Sequence, residues 1–183
     1  MLKINNPNDL EEAYYMAFNF KQYISDQGND HYPNSDNVPS GAYIFKPDKA
    51  NPNSVGFSQF VSTKNNQADF VQELVLEYDN PTTHERARVR IYAYEKSPIY
   101  EFNVHLNGIP KTKTGNEVIV TFTPYDFDNN KTFYTDSNGL EMQTRVLNQR
   151  PDFTVSSNQK VSSNYYPINS CISIQDTNPK KTM

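Results

Sequence analysis

The chain has 183 residues, enough for one sizeable domain, but its apolar share of 36% and mean hydropathy of -0.81 are low for an independent globule. Its 17 basic against 21 acidic residues give a net charge of -4; the only basic clusters are Arg86-Ala87-Arg88-Val89-Arg90 and Lys180-Lys181, which speaks against nucleic-acid binding. No apolar run reaches the roughly 20 residues of a membrane helix, Met1-Leu-Lys-Ile-Asn5 lacks the apolar core of a signal peptide, and the lone Cys171 allows no intrachain disulfide. The chain is therefore expected either to be cytosolic or not to include the start of its parent polypeptide. Asn is abundant throughout, which reads as a skewed codon composition in the source genome.

In chain order, Asp9 could cap a short helix through Leu10-Glu11-Glu12-Ala13, but Tyr14 to Phe20 alternates and favours a strand. Ser25 to Gly41 is a long polar loop in which Pro33 and Pro39 exclude regular pairing. Gly41 to Lys46 reads as a short strand stopped by Pro47, Val55 to Val61 as a weak strand, and Lys64-Asn65-Asn66-Gln67 as a turn. Phe70 to Tyr78 alternates, Asp79-Asn80-Pro81-Thr82 turns, and Arg86 to Tyr94 returns with Ala87, Val89, Ile91 and Ala93 inward and its arginines on a solvated face. Ile99 to Leu106 is the cleanest period-two run, with Tyr100, Phe102, Val104 and Leu106 on one face; Val118 to Thr123 follows.

Phe133-Tyr-Thr-Asp-Ser-Asn-Gly139 then predicts a hairpin, with Asn138-Gly139 suited to the two positive φ angles of a type I′ turn and Asp136 and Asn138 as turn residues that fix its register. Ile168 to Gln175 reads as the last strand, with Cys171 as a small core residue. Strands recurring at short intervals with turn signals between them predict an all-β fold, an antiparallel β-sandwich or part of one.

Signals for chemistry are sparse. His31 lies in the long loop, His84 in a turn, and His105 on the polar face of a strand between Asn103 and Asn107; none stands at metal-ligand spacing. No nucleophile or phosphate-loop motif occurs, and among the many carboxylates no catalytic pair can be selected from sequence. Asn130-Lys131-Thr132 is the one usable Asn-x-Ser/Thr glycosylation sequon, since Asn80-Pro81-Thr82 is blocked by its proline. Tyr92 and Tyr94 on one strand face could form a sugar-stacking platform.

Five stretches occur in a familiar order: Ser40-Gly-Ala-Tyr-Ile-Phe-Lys-Pro47, Gly115-Asn-Glu-Val-Ile119, Phe133 to Gly139, Arg150-Pro-Asp152 and Asn164-Tyr-Tyr-Pro-Ile-Asn169. Over roughly residues 20 to 177 this series resembles the C-terminal region of the lysosomal-type α-mannosidases of glycoside hydrolase family 38. The resemblance implies a β-sandwich of the galactose-mutarotase-like supersandwich type, incomplete at its C-terminal end, with residues 1–183 forming part of that domain. It implies a parent enzyme that is a zinc-dependent retaining exo-hydrolase trimming mannose from N-glycans in a lysosomal or vacuolar lumen. The nucleophile and zinc ligands of that family belong to an N-terminal catalytic domain, so this chain is expected to hold no catalytic residue and no metal, to be inactive alone, and to have that domain and a mannose-containing glycan as partners.

Tyr43, in the Ser-Gly-Ala-Tyr motif, is similar to a tyrosine that reaches the mannose pocket, and Gly41 beside it would permit close backbone approach at a domain contact. Departures from the family pattern are Asn107-Gly-Ile-Pro110 for Gly-Pro-Ile-Pro, Leu140 for Arg and Phe153 for Trp. Met183 precedes the place of a Thr-Asp-Arg-x-Gln-Gly-like motif, which is expected to leave a strand edge unpaired. The alternative expectation is a freestanding, non-catalytic carbohydrate-binding or adhesion module.

Overall fold

A computed structural model of the chain describes residues 2–6, 9–28, 39–41, 45–55, 59–68, 70–82, 84, 86–109, 113–155 and 159–177. Among these, every regular element is a strand apart from one 3-10 turn at Ser162–Asn164, and every pairing is antiparallel. The all-β expectation holds. The chain divides into two compact units, residues 1–24 with 51–125 and residues 25–50 with 126–183.

The first unit contains two sheets. One is centred on β2 (Asp9–Ile24), which pairs with β1 (Leu2–Asn6), β3 (Asn53–Ser54) and β8 (Asn116–Pro124). The other is a meander of β4 (Gln59–Gln67), β5 (Val71–Asp79), β6 (Arg86–Tyr94) and β7 (Tyr100–Asn107). Period-two alternation decides which faces meet. Phe18 and Phe20 of β2 share a face; Phe18 stacks on Phe102 of β7 at 5.8 Å between centroids, and Phe20 meets Tyr78 of β5 edge-on at 5.6 Å. Phe122 of β8 completes the aromatic group against Phe102 at 5.2 Å. The two sheets thus pack as a sandwich, with Ala87, Val89 and Ile91 of β6 and the neighbouring Val55 buried in its centre.

The opposite face of β6 carries the predicted arginine row, exposed and paired across the ladder. Arg88 meets Glu77 at 2.5 Å, while Arg86 lies 3.8 Å from Asp79 and Arg90 3.8 Å from Glu73. On the apolar face of β7 Val104 is 40% exposed, on a strand that pairs on one side only among the described residues.

The second unit holds a three-stranded sheet in the order β10-β9-β11, from β9 (Thr132–Ser137), β10 (Glu141–Val146) and the two-residue β11 (Ile172–Ser173). Its hairpin turns at the predicted position: Asn138 and Gly139 have φ of 52° and 71°, and the Leu140 N–H donates to the Ser137 carbonyl at 3.0 Å.

The strand favoured after Asp9 holds and takes in 10–13 as well, since β2 begins at Asp9 and runs sixteen residues against β1 and β8. Other expectations need correction. Lys64 to Gln67 is no turn; all four residues lie in β4 opposite Gln72 to Val75, and the reversal follows Ala68, whose N–H donates to Val71 O. Pairing with β5 there overrides the weak strand preference of Asn and Lys. The strand expected over 41–46 is not seen at its described positions: Lys46 N–H goes to Ser40 Oγ and its carbonyl to Asp26 N–H, which are loop contacts, while 42–44 lie outside the described residues. The last strand shrinks from Ile168–Gln175 to Ile172–Ser173 with a bridge at Gln175, and Cys171 is exposed.

These two faces of β6 predict opposite mutational outcomes. Val89→Ala should lower stability by about 1–3 kcal/mol through lost burial and a residual cavity, whereas Arg88→Ala should cost under about 1 kcal/mol. Urea unfolding followed by circular dichroism checks both.

Candidate functional site

Of the residues singled out in the sequence, Tyr43 and His31 lie outside the described residues. Within this chain a Cβ built on Gly41 meets no atom within 4 Å. His84 is exposed in a turn with φ of 58°. His105 is exposed on β7, where with Tyr78, Arg86, Ala87, Arg88 and Asn107 it borders an open depression of about 410 Å³. Tyr94 is 42% exposed, but its hydroxyl donates to Glu101 Oε2 at 2.9 Å and a Tyr92 hydrogen bond reaches Glu73, so both rings are fixed by carboxylates.

The densest polar construction is in the second unit, and it gathers three of the stretches that carry the family resemblance. Its centre is Asp136 on β9, 6% exposed. Oδ1 accepts the N–H groups of Asn169, Ser170 and Cys171 at 2.9, 3.0 and 3.2 Å, and Oδ2 accepts that of Gly139 at 3.0 Å. The Ser170 N–H, against the opposing pull of burial and joined by those of Cys171, Asn169 and Gly139, holds the Asp136 carboxyl well below the usual carboxylate range. Asn169 closes the contact from the other side, donating its side-chain amide to Asn138 Oδ1 at 3.0 Å. Asp136 thus does fix the hairpin, as expected, and it also fastens a segment more than thirty positions away.

Beside it, the ring of Tyr166 is held by two guanidinium groups, Arg150 at 3.8 Å and Arg145 at 4.8 Å, and by the edge of Phe133 at 5.3 Å. Arg150 also donates to the carbonyls of Ser163 at 3.0 Å and Tyr165 at 3.1 Å, and Arg145 to Thr135 Oγ1 at 3.1 Å. Asn164 adds a reciprocal pair with Asn148: its Oδ1 accepts the Asn148 N–H at 2.9 Å and its amide donates to Asn148 Oδ1 at 2.9 Å. Asn148 has φ of 61°, a conformation that Asn tolerates better than other side chains.

This network suits holding a shape and does not suit reacting. The Asp136 oxygens accept four amide donors, which favour the ionised carboxylate and leave it no proton to give near neutral pH. Among the described residues no group of three or more His, Cys, Asp or Glu could hold a metal. Sequence inspection did not foresee the role of Asn169 to Cys171, because strand-like spacing conceals N–H groups that turn toward a distant carboxylate.

A family model described as the glycosyl hydrolases family 38 C-terminal domain matches residues 7–182. Lysosomal alpha-mannosidase of Bos taurus is 34% identical over 165 residues, covering 90% of this chain and 15% of that protein. The Homo sapiens lysosomal alpha-mannosidase is 34% identical over 152 residues, covering 82% of this chain and 14% of that protein. An alpha-mannosidase of Canavalia ensiformis is 32% identical over 153 residues, with coverage of 82% and 14%. The chain therefore spans about 15% of the length of the relatives it matches.

Two variants test the Asp136 network. A carboxyl whose folded pKa lies below its unfolded value of about 3.9 stabilises the fold above that value, and the contribution fades as pH falls toward the folded pKa. Asp136→Asn should therefore lower the urea midpoint at pH 7, and the gap to the parent chain should narrow steadily below about pH 4. A gap that stays constant down to about pH 2 counts against the ionised clamp. Gly139→Val should cost about 1–2 kcal/mol from backbone strain alone, since its φ is 71° and a Cβ there meets no atom within 4 Å; Gly139→Asn should cost clearly less.

Proposed function

The chain belongs to the family of glycosyl hydrolase family 38 C-terminal domains, and we propose that it works as a segment of a retaining α-mannosidase that trims mannose from N-glycans. In this reading it braces the catalytic domain of the same polypeptide, lines part of the mannose pocket through Tyr43, and turns over nothing by itself. The catalytic domain supplies the nucleophile and the zinc ligands, and no step through zinc is assigned to the residues of this chain. A lysosomal or vacuolar lumen is the proposed setting, in keeping with the lysosomal alpha-mannosidases among the relatives.

The observation that carries the reading is the fate of the shared stretches. Phe133 to Gly139, Arg150-Pro-Asp152 and Asn164 to Asn169 lie far apart in sequence, and all three enter the one network of Asp136, Arg150 and Tyr166. Their side chains bond to one another and to backbone, which fits a rigid support beside an active site.

The direct test is turnover of an aryl α-mannoside by the purified chain with added zinc. No hydrolysis above the blank is expected, and hydrolysis that persists after contaminating mannosidase is removed overturns the division of labour. In a polypeptide that also carries the catalytic domain, Tyr43→Phe should lower kcat/KM about tenfold, the loss expected for one hydrogen bond of about 1.4 kcal/mol, with unfolding midpoint and zinc content unchanged. Asp136→Asn in the same polypeptide should leave zinc content unchanged as well.

A further inference from the structure

We propose that Asn130 is an N-glycosylation site whose first sugar settles in the depression beside Tyr134. The sequon Asn130-Lys131-Thr132 could have been buried in a strand, where no transferase reaches it. It lies instead on the turn entering β9, and Asn130 is exposed. Asn130 and Lys131 have φ of 47° and 60°, two successive left-handed residues in the turn.

The adjacent asparagines have divided the local work. Asn129 donates its side-chain amide to Thr132 O at 2.7 Å, and Asp128 Oδ1 anchors the turn by accepting the Asn130 N–H at 2.8 Å. The Asn130 side chain makes no hydrogen bond to any described residue, so attaching a sugar to its amide nitrogen breaks nothing that holds the turn. The Thr132 hydroxyl, which the sequon requires, is within 3.3 Å of the Asn130 carbonyl.

Next to the turn is an open depression of about 240 Å³ whose lining includes Asn130, Thr132, Tyr134, Gln175 and Asp176. Thr132 and Tyr134 point to the same side of β9, two residues apart. An N-acetylglucosamine on Asn130 therefore has an aromatic ring to lie against and polar groups at its rim. The transfer uses a polyprenyl-diphosphate-linked oligosaccharide as donor. The Asn130 nitrogen forms a bond to the anomeric carbon, the bond from that carbon to the diphosphate oxygen breaks, polyprenyl diphosphate leaves, and the amide proton goes to solvent.

The experiment sends the full chain through a eukaryotic secretory pathway behind a cleavable leader and maps its peptides before and after peptide N-glycosidase treatment. One occupied site is expected, with Asn130 converted to Asp on release, occupancy lost in Asn130→Gln and Thr132→Ala, and retained in Thr132→Ser. Unmodified Asn130 in the secreted parent chain overturns the proposal. Enzymatic removal of the glycan should lower the unfolding midpoint by a few degrees in the parent chain and by less in Tyr134→Ala; equal shifts overturn the sugar contact with Tyr134. None of these readouts involves mannoside hydrolysis, so they stand or fall apart from the enzymatic role.

Discussion

The second unit depends on one ionised carboxylate. The run from Asn169 to Cys171 presents three backbone N–H groups in succession, and each needs an acceptor once the segment lies against β9. A ladder strand could satisfy only alternate ones on one side. Asp136 satisfies all three with a single oxygen and uses the other on Gly139, so the tip of the hairpin and the returning C-terminal segment are fastened at the same point. The charge is confined by its donors, which is why the acid is held ionised.

Around that point the remaining interactions fall into place in order of reach. Asn169 to Asn138 repeats the link between segment and turn through side chains. Arg150 reaches two carbonyls of the 163–165 turn while its guanidinium lies over Tyr166, and Arg145 approaches the same ring from β10. Two cations on one aromatic ring repel each other, and the ring, the carbonyls and Thr135 Oγ1 offset that cost by giving each guanidinium acceptors and a π-face. The first unit is built on a different principle: apolar alternation faces one sheet toward another, and charges are relegated to an outer ladder where each arginine of β6 has an acid within 3.8 Å.

Asparagine serves several separate ends in the second unit, although its abundance in the sequence reads as codon bias. Asn138 and Asn148 adopt positive φ, Asn129 and Asn164 tie side chain to backbone, and Asn169 joins segment to hairpin. Composition could not separate these from Asn65 and Asn66, which sit in the regular ladder of β4. The sequence misleads at that pair, because a local turn preference of Asn is weaker than a long run of strand pairing with β5.

What the sequence alone determined is what has a local cause. Alternation in Arg86 to Tyr94 placed Ala87, Val89 and Ile91 inside, Asn138-Gly139 supplied the two left-handed residues of the turn, and the shared stretches pointed to the family. Only the tertiary structure decided which acceptor each N–H group takes. Asn169, Ser170 and Cys171 have the spacing of a strand, but their partner is a carboxylate 33 to 35 residues earlier, and that choice cut the last strand to two residues and left Cys171 at the surface. A hydrogen bond is selected by what the fold brings within about 3 Å, and nothing in a run of neighbouring residues records that distance.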